Sequence, residues 1–244
     1  MLLSGDSMIP IARNFSIIVI LFTIISLLLF YTAYDKETQT LAPEKLIKVI
    51  SFEDLNHSLR ELNKIAALAA IALISITFLL GPLSKIFPKK FAVFLSSRKT
   101  LGLTGFAFAL LHAVYSTVFI YGLDLNKIFF NNPKILGVIS GIIALIIFFL
   151  MSITSTKTAV QKMGYKKWKQ LQTTGYIALF FSIAHFILLE IKPEKGFDVK
   201  PYGVLFLFIA LIALALKILT LLIKFPERKK YEEHLGETNT EIKK

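Results

Sequence analysis

Cysteine is absent from the 244 residues. That excludes disulfides, Cys-ligated zinc, iron–sulfur clusters and a covalently attached c-type haem, which needs C-x-x-C-H. Charge is scarce as well. Only 18% of the residues are charged and 55% are hydrophobic, where soluble domains average about 45–50% apolar and about 25% charged. The scarcity is patterned. Six mostly apolar runs, 15–34, 65–83, 101–122, 135–153, 170–189 and 202–223, carry no Asp, Glu, Lys or Arg except Lys217, and together make up half of the chain. Each is close to the roughly 20 residues that a helix needs to cross a bilayer. A soluble enzyme is excluded, and so is a disordered or fibrous chain. The runs are continuously apolar and do not alternate, which also excludes a transmembrane β-barrel.

The charge that is present sits in the connections. The net charge of +12 does not point to nucleic acid, because the excess is confined to alternate connections, as the positive-inside rule requires of a membrane protein. Arg13, segments 84–100 and 154–169 and the tail hold 17 basic residues, while segments 35–64, 123–134 and 190–201 hold 10 basic and 10 acidic ones. The basic side is expected to be cytoplasmic. The expected fold is an all-α integral membrane protein of six transmembrane helices in a bundle, with both termini cytoplasmic. Residues 1–14 form the N-terminus, 15–224 the membrane domain and 225–244 a charged tail. The first run is too long for the apolar core of a signal peptide, about 7–15 residues, and reads as a retained helix. In the connection 35–64, Ser51 and Asp54 form an S-x-x-D start signal followed by Leu55, Leu59 and Leu62. The second helix is expected to begin near Ser51.

Two of the four histidines, His57 and His234, fall in a connection and in the tail. His112 and His185 sit inside the third and fifth runs, where an ionisable side chain is costly and marks a functional site by default. These two runs are parallel. His112 lies 13 residues beyond Lys99, and His185 lies 13 beyond Gln172, which places both roughly 20 Å from the inner end at 1.5 Å per residue. Gly102, Gly105 and Ala109 precede His112 with the spacing at which Gly175, Ala178 and Ser182 precede His185. At 100° per residue these small residues lie beside the histidine on one helix face. A smooth face ending in an inward imidazole suits a flat macrocycle with two axial nitrogens, a ligation that favours electron transfer over oxygen binding. The same small residues also suit tight helix packing.

Arg98-Lys99-x-Leu101-Gly102-Leu103 and Ala109-Leu110-Leu111-His112 resemble the third helix of the ferric-reductase-like transmembrane family. Ile153-Thr154-Ser155-Thr156-Lys157 resembles the end of its fourth helix. Lys167-Trp168-Lys169-x-Leu171, Tyr176 and His185-Phe186 resemble its fifth. The likeness covers about residues 65–190. It is greatest to the branch of haem-binding membrane subunits of the bacterial methionine sulfoxide reductase system. It implies b-type haem between helices 3 and 5, with His112 and His185 as the axial iron ligands, in a bacterial inner (plasma) membrane. The family has a further histidine 13 residues before the position of His185, where this chain has Gln172. An amide is a poor iron ligand, and methionines such as Met151 and Met163 are usually packing residues, so one haem is expected.

The implied role is that of an electron-transfer component of an oxidoreductase. The chain has no G-x-G-x-x-G fingerprint and no nucleotide-binding domain, so the donor is a separate cytoplasmic flavin reductase or a membrane quinol. The implied acceptor is an exported molybdenum-cofactor reductase that repairs oxidised methionine, or a small acceptor such as ferric iron. Relatives that pair a flavin with one haem imply a bound flavin mononucleotide (FMN) in the inner half, with Arg98, Lys99 and Lys157 at its phosphate. The positive-inside rule alone also accounts for each of these cations. The alternative is a haem-free six-helix transporter or membrane scaffold, which would use Lys217 and Glu190.

Overall fold

A backbone inside hydrocarbon has to satisfy its N–H and C=O groups within its own segment, and the helix does so for a single continuous run. The computed structural model of the chain describes residues 5–52, 54–192, 196–197 and 199–223. The first four residues and the tail from 224 on, with His234, lie outside the described residues. The helices are α1 (Gly5–Ala33), α2 (Pro43–Ser51), α3 (Leu55–Ile86), α4 (Pro88–Phe91), α5 (Arg98–Tyr115), α6 (Ile135–Ile153), α7 (Lys157–Met163), α8 (Tyr165–Thr173), α9 (Gly175–Glu190) and α10 (Pro201–Leu222). Two short antiparallel ladders close connections: β1 (Tyr34–Asp35) with β2 (Thr40–Leu41), and β3 (Ile191–Lys192) with β4 (Gly196–Phe197).

Five stretches are long and apolar enough to cross a membrane: Leu55–Ile86, Pro88–Ile120, Ile135–Ile153, Tyr165–Glu190 and Gly203–Leu222. A shorter apolar stretch, Ile17–Ala33, lies in α1. All six expected runs are therefore helical, and among the described residues five meet the length of a span. Large apolar side chains point outward, among them Phe22 at 70%, Leu136 at 68% and Phe208 at 60% exposure. Such a surface fits lipid and not water.

The centre of the bundle is α3. Its apolar window is 72% buried, against 6–28% in the other spans. Ala66, Ala69, Ala70 and Ala72 keep its surface narrow, so that α5, α9 and α10 all approach it. The start of α3 differs from the expectation. Ser51 ends α2, Phe52 turns the chain with a left-handed φ of 56°, and Asp54 is the cap. The Asp54 carboxylate accepts from the His57 backbone N–H at 3.1 Å, satisfying one of the free donors of the first turn.

Near the other end of α3, Pro82 has no N–H to give to the carbonyl of Phe78, four residues back. The hydroxyl of Tyr176 in α9 takes over and donates to Phe78 O at 2.9 Å. One residue earlier, Arg98 Nε donates to Thr77 O at 3.0 Å. A Cβ on Gly81 would lie 3.2 Å from the Tyr176 hydroxyl and 3.6 Å from Arg98 Cζ. Gly81 and Pro82 thus make a notch that ties α5 and α9 to α3.

Candidate functional site

His112 lies on α5, one turn before its end, and faces α3. Its Nδ1 is 3.0 Å from Oδ1 and 3.3 Å from the main-chain oxygen of Asn63. A carbonyl oxygen only accepts, so the proton sits on Nδ1 and the Nε2 lone pair is left open. Asn63 is 7% exposed, and its Nδ2 donates to Ser116 Oγ at 3.1 Å.

His185 lies on α9 and faces α6. Its Nδ1 donates to Gly137 O at 2.8 Å, which fixes the same tautomer. The ring rests on the backbone of α6. A Cβ on Gly141 would come within 2.5 Å of Nδ1 and 2.8 Å of Cε1, so only glycine leaves room for the imidazole there.

The two rings, one on each of two parallel helices, meet. Their centroids are 6.2 Å apart and their planes make an angle of 75°. Imidazoles that share one metal through bonds of about 2 Å each have ring centres roughly 6 Å apart once the ring radius is added on both sides. Both Nδ1 atoms are held by oxygen acceptors, the usual outer-shell arrangement of ligating histidines. The donor set, the tautomers and the separation fit an axial pair. Among the described residues no cluster of three or more His, Cys, Asp or Glu could hold a metal by itself. A group that brings its own equatorial donors needs only these two.

The small residues ahead of each histidine have other neighbours. A Cβ on Gly105 would lie 2.9 Å from Ile74 Cγ1 and 3.2 Å from Ile74 N, and one on Gly102 would lie 3.3 Å from Thr77 Cγ2. A Cβ on Gly175 would meet Phe78 Cζ at 2.2 Å and Met151 Cε at 2.7 Å. Ala178 is fully buried. Ser182 Oγ donates to Ala178 O at 3.0 Å, and Ala109 is half-buried. Gly102, Gly105 and Gly175 therefore serve contact with α3, and with α6 for Gly175. Gly102 also lines a large cavity at the end of the bundle where α5 begins.

A cavity of about 1230 Å³ opens between α3, α5, α6, α8, α9 and α10, on the side of the bundle where α5 and α9 begin. Lys85, Arg98, Lys99, Lys169 and Lys217 line it, with no carboxylate among the lining residues. Tyr165, Trp168, Tyr176, Phe106 and Phe148 supply aromatic walls. Such a cleft favours an anion with a flat apolar body. Arg98 and Lys99 are among its lining residues, and Lys157 is not. Gln172 lines it too, and its Nε2 donates to Met151 O at 3.3 Å. One turn earlier on the same face of α8, Trp168 Nε1 donates to Thr154 O at 3.1 Å. The two side chains together cap the end of α6.

Residues 66–183 match the family described as ferric reductase like transmembrane component. These residues form a ferric-reductase-like transmembrane domain. His112 falls inside the matched residues and His185 two positions beyond them. The chain is 30% identical to the protein-methionine-sulfoxide reductase heme-binding subunit MsrQ of Brucella anthropi, over 39% of this chain and 43% of the relative. It is 28% identical to MsrQ of Yersinia pseudotuberculosis, over 67% of this chain and 75% of the relative. It is 29% identical to the magnetosome protein MamZ of Magnetospirillum gryphiswaldense, over 43% of this chain and 16% of the relative. The match thus spans less than half the length of two of these relatives. With its apolar helices, the ferric-reductase-like domain makes this a multi-pass membrane protein.

Beyond the matched residues, Lys217 and Glu190 do not form a pair. The Lys217 ammonium lies 5.1 Å from the ring centre of Tyr176, and Glu190 ends α9 at its opposite end, 14 residues on. A relay between the two, as a transporter would need, has no geometry to support it. Sequence reasoning missed Asn63, Gly137 and Gly141, which hold the two imidazoles. Asn63 alone carried a signal, as a polar residue two positions before a membrane run.

Proposed function

We propose that the chain is the membrane electron-transfer subunit of an oxidoreductase, with b-type haem, one per chain, held by Nε2 of His112 and Nε2 of His185. The observation that carries this reading is the facing pair of Nδ1–H imidazoles, 6.2 Å apart, on two different helices. The haem-binding role printed in the names of the MsrQ relatives supports it. When bound, the haem iron supplies a one-electron Fe(III)/Fe(II) couple. Asn63 and Gly137 hold the proton on Nδ1 of each histidine and keep Nε2 free. The apolar surroundings keep water away. Two protein nitrogens on the iron would leave no open position, so such a site would suit electron transfer over oxygen binding.

The basic end faces the cytoplasm in this reading, and α1 completes six spans of a bacterial inner-membrane protein. The donor is a cytoplasmic flavin reductase or a membrane quinol. The acceptor is an exported molybdenum-cofactor reductase acting on oxidised methionine, or ferric iron. The cavity at the basic end takes FMN, with Arg98 and Lys99 at its phosphate. The test is the absorption spectrum of the purified protein before and after dithionite. Sharp reduced bands of a six-coordinate b-type haem support the proposal, and a protein without Soret absorption after expression with ample haem refutes it. Reporter fusions at Leu41 and Leu235 test the topology, and the two should report opposite compartments.

A further inference from the structure

The two imidazoles are held by different kinds of acceptor. His185 donates to a main-chain carbonyl, Gly137 O. His112 faces a side chain, Asn63 Oδ1 at 3.0 Å, with the main-chain oxygen of the same residue behind it at 3.3 Å. Asn63 is buried, and both ends of its amide are used. Nδ2 donates to Ser116 Oγ at 3.1 Å, and Ser116, the residue just after α5, follows His112 by four residues, so one amide spans the turn that ends α5. The nearby main-chain oxygen also settles which way the amide points. It already requires a proton on Nδ1, so the side-chain atom facing Nδ1 is the oxygen.

We propose that Asn63 is a positioning residue that sets the proton location and the donor strength of His112, and through them the reduction potential of the iron. The inference rests on the haem ligation proposed above. A hydrogen bond to the outer nitrogen of a ligating imidazole raises the basicity of the inner one. A neutral amide oxygen does this moderately. A carboxylate in its place accepts a charge-assisted bond of roughly twice the strength, and the Ser116 hydroxyl can turn from acceptor to donor to satisfy it. The more basic imidazole favours the ferric state and lowers the potential. Removing the acceptor has the opposite effect. His185 offers no such control, because no side-chain substitution removes the Gly137 carbonyl.

The test is a redox titration of purified full-length wild type, Asn63→Asp and Asn63→Leu at mildly alkaline pH, with haem per chain and the low-temperature EPR of the ferric form measured alongside. The midpoint should fall in Asn63→Asp and rise in Asn63→Leu, and the EPR g-spread should move in opposite directions. Should Asn63→Leu lose its haem, the downward shift in Asn63→Asp carries the test alone. Shifts of the same sign in both variants, or an Asp variant indistinguishable from wild type, would overturn the role of Asn63 and leave the axial assignment standing. A wild type without haem would instead overturn the assignment itself.

Discussion

Gly141 and His185 occupy one space. The position that a Cβ on Gly141 would take is 2.5 Å from Nδ1 of His185, closer than any two such atoms come without displacement. The imidazole lies on bare helix backbone, and four residues earlier Gly137 supplies the carbonyl that holds its proton. The site on α9 is thus built by α6, as the site on α5 is built by Asn63 of α3.

Gly141→Ala follows directly from this. In a helix, alanine is intrinsically better than glycine by about 0.8–1.0 kcal/mol. Here it should drive His185 off its acceptor while the helices stay intact. Haem retention should drop several-fold in purified protein whose far-UV circular dichroism is unchanged. Wild-type haem content in Gly141→Ala would show that His185 does not need this seat.

The axial pair itself is tested by His112→Ala and His185→Ala. Each should abolish or greatly weaken haem retention, because one imidazole is left to hold the iron alone. His57→Ala should not, since His57 sits in the first turn of α3 and is not one of the two facing rings. Pyridine haemochrome assays of the three variants distinguish these outcomes, and full haem in either of the first two contradicts the ligand assignment.

The bundle was largely legible in the sequence, because an apolar run of about 20 residues has few other folds open to it. So were His112 and His185, since charge-bearing rings inside such runs are rare. The partners of the histidines were not. Asn63, Gly137 and Gly141 come from other helices, and periodicity within one helix fixes an angle but not the neighbour that faces it. Gly102, Gly105 and Gly175 show the same ambiguity. Their spacing pointed to a flat ligand while also suiting a packed helix, and the helix each of them meets, α3, does not follow from spacing within one helix. Of the S-x-x-D signal only Asp54 caps α3, because the left-handed turn at Phe52, which has no sequence signature, leaves Ser51 at the end of α2. The role of Gln172 as the cap of α6 was hidden in the same way. Its acceptor, Met151 O, lies 21 residues back on another helix.

Tyr176→Phe should leave the Phe78 carbonyl, already deprived of a partner by Pro82, without its hydrogen bond. An unsatisfied buried polar group costs about 1–3 kcal/mol. Thermal stability in detergent should fall accordingly, with the haem spectrum of the remaining folded protein unchanged. An unaltered melting temperature would mean that water or another group replaces the hydroxyl.

The basic cavity makes its own prediction. Arg98→Gln with Lys99→Gln removes two of its five cations. Flavin that co-purifies with the protein, read by its fluorescence after denaturation, should fall at least tenfold, and the remaining binding should weaken as salt is raised. Undiminished flavin in the double variant would remove these side chains from any phosphate site. Because Arg98 also donates to Thr77 O, Lys99→Gln alone provides the control for stability.

The most direct test of the whole reading is the number of haems per chain in wild type and in Gln172→His. All four histidines are accounted for: two in the pair, His57 in the first turn of α3 and His234 in the tail. Among the described residues no histidine lines the cavity at the basic end, so a new imidazole at position 172 would face no second imidazole there. About one b-type haem per chain, with a single redox transition, is expected for both proteins. Two haems in the wild type, or none, would contradict the assignment of His112 and His185 as its one axial pair.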